Sequence, residues 1–338
     1  VNKSLNSPKK VLLTFDYEVY FRESGSFQQC IQKPVDELAK LMKEHRIVAT
    51  FFVDILYYLR MLEREETRSD AESMKRQLQR LVRAGNRIEP HLHPHWLDAE
   101  FKDGAWSFPH YERYRLQALG QEQIMSLFRQ GCRELEQIAK EVRPDYRVMA
   151  YRAGGWCIQP FDKLKKAFAE CHILVDSSVA PRMRGMSDVH YFDFTGVPDR
   201  SHYSFDSDPT QWNRKGHLTE IPISTYRRTS LFKIKRKIVN RFYRDELLPY
   251  GDGSGIPLKE DFRKKWLSTY EMITLERMFP KDLIEIVGKT PQDAVNIISH
   301  PKGMSRMSMR CIQELASQDH HFLTLEQYYK REIAAESR

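Results

Sequence analysis

The chain has 338 residues, and its 54 Lys and Arg against 46 Asp and Glu give a formal net charge of +8. A hydrophobic fraction of 41% over that length excludes a disordered or fibrous chain and provides for one large core or two modest ones. Residues 1–10 are polar and basic, and the first apolar run is too short for a signal peptide or a membrane span, although a start at Val1 leaves room for a trimmed leader.

Val11-Leu12-Leu13-Thr14-Phe15 predicts a strand buried on both faces, as in a parallel sheet or barrel, and it runs into the acids Asp16 and Glu18, separated by Tyr17. Residues 34–45 predict a helix with Pro34 at its start and Val35, Leu38, Leu41 and Met42 on one side. Residues 47–53 predict a second strand, 74–84 a helix stopped by Gly85, and 87–91 a short third strand. The alternation continues with a helix at 121–141, a strand at 147–152, a helix at 160–171 and a strand at 172–176. Strands at 218–223 and 294–300 follow, separated by a long, mostly helical stretch. This order predicts a parallel α/β architecture. In barrels of that class, catalytic groups sit at the carboxyl ends of strands, and five predicted strands end in Asp16 and Glu18, His91, Arg152, Asp176 and His300. Residues 98–115 and 180–216 are aromatic-rich and read as long loops on that same face.

The segment His91-Leu92-His93-Pro94-His95 is the densest chemical signal, because neutral imidazole is the commonest protein ligand for transition metals. On one helical turn His91 and His95, four apart, would point the same way, provided the helix starts near His93, since Pro94 fits only a first turn. On an extended segment the pairing would change. Asp16 or Glu18 would complete a two-His-one-carboxylate site, and which carboxylate binds the metal stays open.

Thr14-Phe15-Asp16-Tyr17-Glu18, the histidine segment, Tyr151-Arg152-Ala153-Gly154-Gly155-Trp156, Val175-Asp176-Ser177-Ser178 and Ile297-Ile298-Ser299-His300-Pro301 together resemble the polysaccharide deacetylases of carbohydrate esterase family 4, over about residues 10–302. The closest likeness is to enzymes of bacterial surface-polysaccharide biosynthesis, of O-antigen or capsule. The resemblance implies a distorted parallel (β/α) barrel, here one domain over 1–338 with insertions near 98–115 and 180–260. It implies a divalent metal, zinc first, with cobalt, nickel or iron as alternatives, held by Glu18, His91 and His95. It implies Asp16 as general base oriented by Arg152, His300 as general acid oriented by Asp176, and the Gly155 backbone at the oxyanion, with Trp156 against substrate. His93 is then the odd one out. The chain departs from the family pattern in having Tyr17 between the two acids, Gly154 in place of a proline, and no tryptophan beside Asp176.

The expected activity is removal of an N-acetyl group from an amino sugar of a polysaccharide or its precursor, by hydrolysis of the amide C–N bond. Alternatives are an amidohydrolase or phosphoesterase, suggested by His91-x-His93, and a non-catalytic carbohydrate-binding protein that keeps the metal. Lys233-Ile234-Lys235-Arg236-Lys237, with Arg241 and Arg244, concentrates positive charge and fits either a solvated helical face or contact with a membrane surface or a lipid-linked substrate. No nucleic-acid-binding motif accompanies it. The five cysteines, Cys30, Cys132, Cys157, Cys171 and Cys311, are odd in number and lack C-x-x-C spacing, which predicts reduced thiols and a cytoplasmic protein, at most peripheral to an inner membrane.

Overall fold

Eight strands curl around one axis in the computed structural model, which describes residues 7–187, 190–255 and 269–335. They are β1 (Lys10–Tyr17), β2 (Thr50–Asp54), β3 (Arg87–Leu92), β4 (Ala150–Ala153), β5 (Val175–Asp176), β6 (Tyr203–Phe205), β7 (Leu218–Glu220) and β8 (Ala294–Ser299). Their order is β6-β7-β5-β4-β3-β2-β1-β8, and a ninth strand, β9 (His321–Phe322), pairs with the start of β1. All neighbours are parallel except β6 and β7. The sheet is a distorted (β/α) barrel. Its ends meet through irregular backbone: Ser224 N–H donates to Asn296 O at 2.9 Å, and Asn296 Nδ2 reaches Ser177 Oγ at 3.0 Å. Thr274 adds an isolated parallel bridge to Ile298.

The helices are α1 (Lys33–His45), α2 (Ile55–Leu62), α3 (Glu65–Arg83), α4 (Gln121–Lys140), α5 (Asp162–Glu170), α6 (Ser230–Phe242), α7 (Pro280–Lys289), α8 (Arg306–Ala316) and the short α9 (Leu325–Tyr328). Side chains alternate along β1. Val11, Leu13, Phe15 and Tyr17 belong to the large apolar core shared with the helices, and Leu12 joins Phe52, Val175, Ile221 and Tyr328 in a second cluster inside the barrel. Above that floor Thr14 and then Asp16 also face the axis. The interior therefore passes from apolar to polar towards the carboxyl ends.

Three strands, β2, β4 and β5, start later than expected, and in the first two side chains take up the first backbone groups. Ala49 N–H donates to Asn86 Oδ1 at 2.9 Å, and Met149 N–H donates to Glu89 Oε2 at 2.8 Å. Helix α3 starts well before residue 74, because the buried face of its first turns offers only the small Thr67 and Ala71 to a hydrophobic pattern. The sequence reading has no counterpart for α2 or α8. The stretch after β7 is less helical than expected: among the described residues it holds α6, α7 and a short 3₁₀ turn, and also an antiparallel pair of Thr225–Arg228 with Thr269–Met272. The end of the anticipated insertion, 256–260, lies outside the described residues, as do residues 1–6 of the basic start. The region 98–115 is a small hairpin, Glu100–Lys102 with Ala105–Ser107, and 3₁₀ turns rather than open loop. The five cysteines are free.

Candidate metal centre and active site

The carboxyl ends of β1, β3, β4 and β8 converge on a cavity of about 500 Å³, whose lining includes Asp16, Glu18, His91, Gly155, Trp156 and His300. Asp16 and Glu18 both line it because residues two apart in extended chain share a face. Tyr17, between them, points away and donates from its hydroxyl to Gln77 Oε1 at 2.7 Å.

Glu18 Oε2 lies 3.0 Å from His91 Nε2 and 2.8 Å from His93 Nε2, and the two imidazole nitrogens are 3.1 Å apart. His91 Nδ1 is 2.8 Å from the Arg152 carbonyl, a partner that can only accept, so Nδ1 carries the proton and Nε2 presents a lone pair. A lone pair facing a carboxylate oxygen at hydrogen-bond distance requires a cation between them, either a proton or a metal. The spacing of the three donors matches neighbouring ligands of an ion bound at about 2.0–2.2 Å. A backbone acceptor on the far ring nitrogen is also the usual support of a metal-bound histidine. The residues present therefore fit a divalent ion.

The same pull of Glu18 acts on a proton. Burial would lower His91, but the hydrogen bond to Glu18 and the charge of Asp16 outweigh it and push its pKa up to about 9. Burial brings His93 down to about 4. Burial opposes ionisation of Glu18, yet the Lys302 ammonium and the two histidines hold it well below the usual carboxylate range. Lys302 Nζ donates to Glu18 Oε1 at 2.9 Å and to the Val19 carbonyl at 2.6 Å, which fixes the carboxylate with its other oxygen towards the histidines.

The expected helical pair of His91 and His95 is not formed. His91 lies on β3, His93 is extended (φ −115°, ψ 101°), and a 3₁₀ turn begins only at Pro94. Positions 91 and 93 thus share a face by strand geometry, while the turn carries His95 into an aromatic cluster. Its ring stacks on Tyr114 with centroids 5.7 Å apart and meets the edge of Phe108 at 4.7 Å. Burial in that cluster lowers the His95 pKa well below its ordinary value, and neither of its ring nitrogens has a hydrogen-bond partner among the described residues.

Asp16 Oδ1 accepts from Arg152 Nη1 at 2.7 Å. Arg152 is fully buried, lies over the Phe52 ring and also donates to Thr14 Oγ1, Ser177 O and Ser177 Oγ. The second Asp16 oxygen faces His300 Nε2 at 3.6 Å. His300 Nδ1 lies 2.7 Å from Glu276 Oε1, which also accepts from the His300 backbone N–H at 2.8 Å. Burial alone would lower His300, but the Glu276 carboxylate raises it.

No family model and no curated protein matches the sequence. Solved structures do match. A protein of Mycobacterium smegmatis described as a polysaccharide deacetylase is 17% identical, over 98% of this chain and 92% of that one, with a TM-score of 0.51. The chain resembles the polysaccharide deacetylases in fold. The peptidoglycan deacetylase PdaC of Bacillus subtilis, 13% identical over 98% of this chain and 95% of its own, superposes at a TM-score of 0.41. A carbohydrate esterase family 4 pseudoenzyme of Bacillus anthracis, 11% identical over 93% of this chain and 64% of that one, superposes at 0.39.

Within this polysaccharide-deacetylase fold, Asp16, Glu18, His91, Gly155, Trp156 and His300 gather at one cavity with Arg152 buried behind Asp16, and His95 and Asp176 stand apart from the expected contacts. Asp176 does not orient His300. Its oxygens accept from Ser178 N–H at 3.2 Å and Ser178 Oγ at 2.8 Å, and it sits beside Glu220, whose carboxyl is driven up by burial and then by the Asp176 charge. The reason is register: Asp176 is opposite Tyr151 and Glu220 in the sheet, deep beside Arg152, whereas His300 follows the last residue of β8. Glu276 takes the position against His300 through the bridge between Thr274 and Ile298. No local pattern around Glu276 announces it. His93 could have been found from the strand period of two, had the segment been read as extended. Trp156 lines the cavity, whereas Trp96 is buried with its Nε1 donating to Asp54 and Trp212 lies elsewhere, against Arg200.

Glu276→Gln removes the carboxylate that raises His300. If His300 must be protonated for turnover, the alkaline limb of the pH–rate profile should move to lower pH, by roughly one to two units for the loss of a charge-assisted bond of about 1.5–3 kcal/mol. A profile unchanged in position would remove Glu276 from this role.

Proposed function

We propose that this protein is a metal-dependent N-deacetylase of an amino sugar in a polysaccharide or its precursor, with a bacterial surface polysaccharide such as O-antigen or capsule as the preferred class. One observation carries the reading: a carboxylate held by arginine and a histidine held by carboxylate face each other across the cavity, Asp16 Oδ2 to His300 Nε2 at 3.6 Å, beside the three converging donors. Hydrolysis of an amide needs an activated carbonyl, an activated water and an acid for a poor leaving group.

Glu18, His91 and His93 are the proposed ligands, and a bound divalent ion, zinc by preference for this donor set, would supply electrophilic activation of the acetyl carbonyl. Asp16 accepts the proton of the attacking water, and Arg152 holds its other oxygen so that the free one faces the cavity. His300 donates from Nε2 to the departing amine nitrogen, while Glu276 stabilises the imidazolium. Gly155 lies at φ +57°, and a Cβ there would come within 2.4 Å of Tyr114, so only glycine fits this turn of the cavity wall, and its backbone N–H is assigned to the developing oxyanion. Trp156 supplies a partly exposed ring face in the wall for the sugar. The phosphoesterase and amidohydrolase alternatives call for further His or Asp ligands from late strands, whereas the donors that converge among the described residues are Glu18, His91 and His93.

The decisive experiment incubates the metal-loaded protein with N-acetylglucosamine oligomers and peptidoglycan fragments and measures free acetate and new amines. Release of acetate with a free amine on the sugar is the expected result. Phosphate release from aryl phosphates with no acetate from any acetylated glycan would overturn the proposal.

A further inference from the structure

We propose that helix α6 is an interfacial docking element for an anionic phospholipid bilayer, placed beside the active-site mouth. This deepens the deacetylase proposal, and it rests on that proposal for the consequence that the substrate is presented at a membrane.

The observation is an apolar stripe turned outwards. Leu231 and Phe242 are 80% and 82% exposed and Ile234 is 49% exposed, an arrangement that solvation does not explain. At 100° per residue these three share one face of the helix. Lys235 flanks that face on one side and Lys237 and Arg241 on the other, all three exposed. The opposite face anchors the helix: Arg236 is buried, reaches Asp282 at 3.2 Å and lies over the Phe279 ring. The inward and outward faces are thus both accounted for, and the outward one has the composition of a helix lying in a bilayer interface, with apolar side chains entering the headgroup boundary and basic ones meeting anionic lipid.

Charge decides the occupant. A second copy docked through the same face by a two-fold axis would bring Lys235, Lys237 and Arg241 against their own copies, a like-charge contact that disfavours association. An anionic surface complements both flanks at once. The patch also continues to the site, since Leu247, just beyond the helix, lines the active-site cavity and the adjacent Leu248 is 57% exposed. No helix among the described residues is long and apolar enough to cross a membrane.

The test is sedimentation of the full chain with vesicles of roughly 30% phosphatidylglycerol in phosphatidylcholine, against phosphatidylcholine alone, at low and high salt. Binding to the anionic vesicles that weakens with salt is expected. Neutralising Lys235→Gln, Lys237→Gln and Arg241→Gln together should lower the partition coefficient by about a hundred-fold. Leu231→Ser with Ile234→Ser and Phe242→Ser should lower it as well. All six side chains lie outside the catalytic cavity, so acetate release from short soluble oligosaccharides should be unchanged in both variants. Equal or absent binding to the two vesicle types, or binding untouched by either variant, overturns the proposal. So does a concentration-dependent dimer in ultracentrifugation that the serine substitutions dissolve, which would assign the stripe to a second copy. Vesicle binding does not depend on turnover, so failure here leaves the deacetylase proposal standing, and failure of acetate release leaves this one standing.

Discussion

Asp16→Asn should lower kcat for acetate release by about 10²–10⁴-fold, the range expected when a positioned general base is lost, with little change in bound metal. Asparagine keeps the shape of aspartate and one acceptor oxygen for Arg152, so the 2.7 Å contact survives as a neutral-to-charged hydrogen bond. The lost charge still matters for folding. Arg152 is fully buried, and removing the partner of a buried ion pair typically costs about 3–5 kcal/mol. Here Asp176, also buried beside it, and the two Ser177 acceptors soften that penalty. The measurement is therefore paired: single-turnover acetate release and thermal unfolding on the same preparation. A variant that is folded, metal-loaded and fully active would show that Asp16 is not the base.

Substituting the histidines one at a time separates the two ways of reading the cluster. His93→Ala should weaken metal binding by more than the ten- to hundred-fold that follows loss of an outer partner, because it removes one of three converging donors. His95→Ala should leave metal stoichiometry intact and act instead on packing, since its ring lies among Phe21, Phe108 and Tyr114. Loss of an aromatic-sized side chain there carries a cost of about 2–5 kcal/mol, visible in the melting temperature. Metal analysis after gel filtration reads the first effect and calorimetry the second. Metal retained by His93→Ala and lost by His95→Ala would return the ligand set to His91 with His95.

The legible and illegible parts of the site differ in physical kind. Asp16, Glu18, His91, Arg152 and His300 stand at or just beyond the ends of buried strands, and strand ends in a parallel barrel share one face whatever the loops do. Seven of the barrel strands were equally legible, because buried parallel strands alternating with amphipathic helices leave a pattern, whereas the antiparallel β6 lies within 180–216, which reads as a loop. Glu276 was not legible. It belongs to irregular backbone that reaches β8 through a single bridge at Ile298, and its neighbours carry no period that would mark it. The docking stripe was half legible: its basic residues stood out, but exposure of Leu231, Ile234 and Phe242 depends on which face α6 turns to Asp282 and Phe279.

By itself the sequence determined the alternation of strands and helices and the set of acids, histidines and arginine that could meet at the strand ends, because local periodicity and strand polarity are properties of neighbouring residues. The tertiary structure alone decided which carboxylate supports His300 and where Asp176 goes, and it chose between the helical and the extended reading of the histidine segment. Those choices rest on where Pro94 starts its turn and on how distant segments register against β5 and β8, and neither the turn's orientation nor the register is encoded in the residues immediately around the groups concerned.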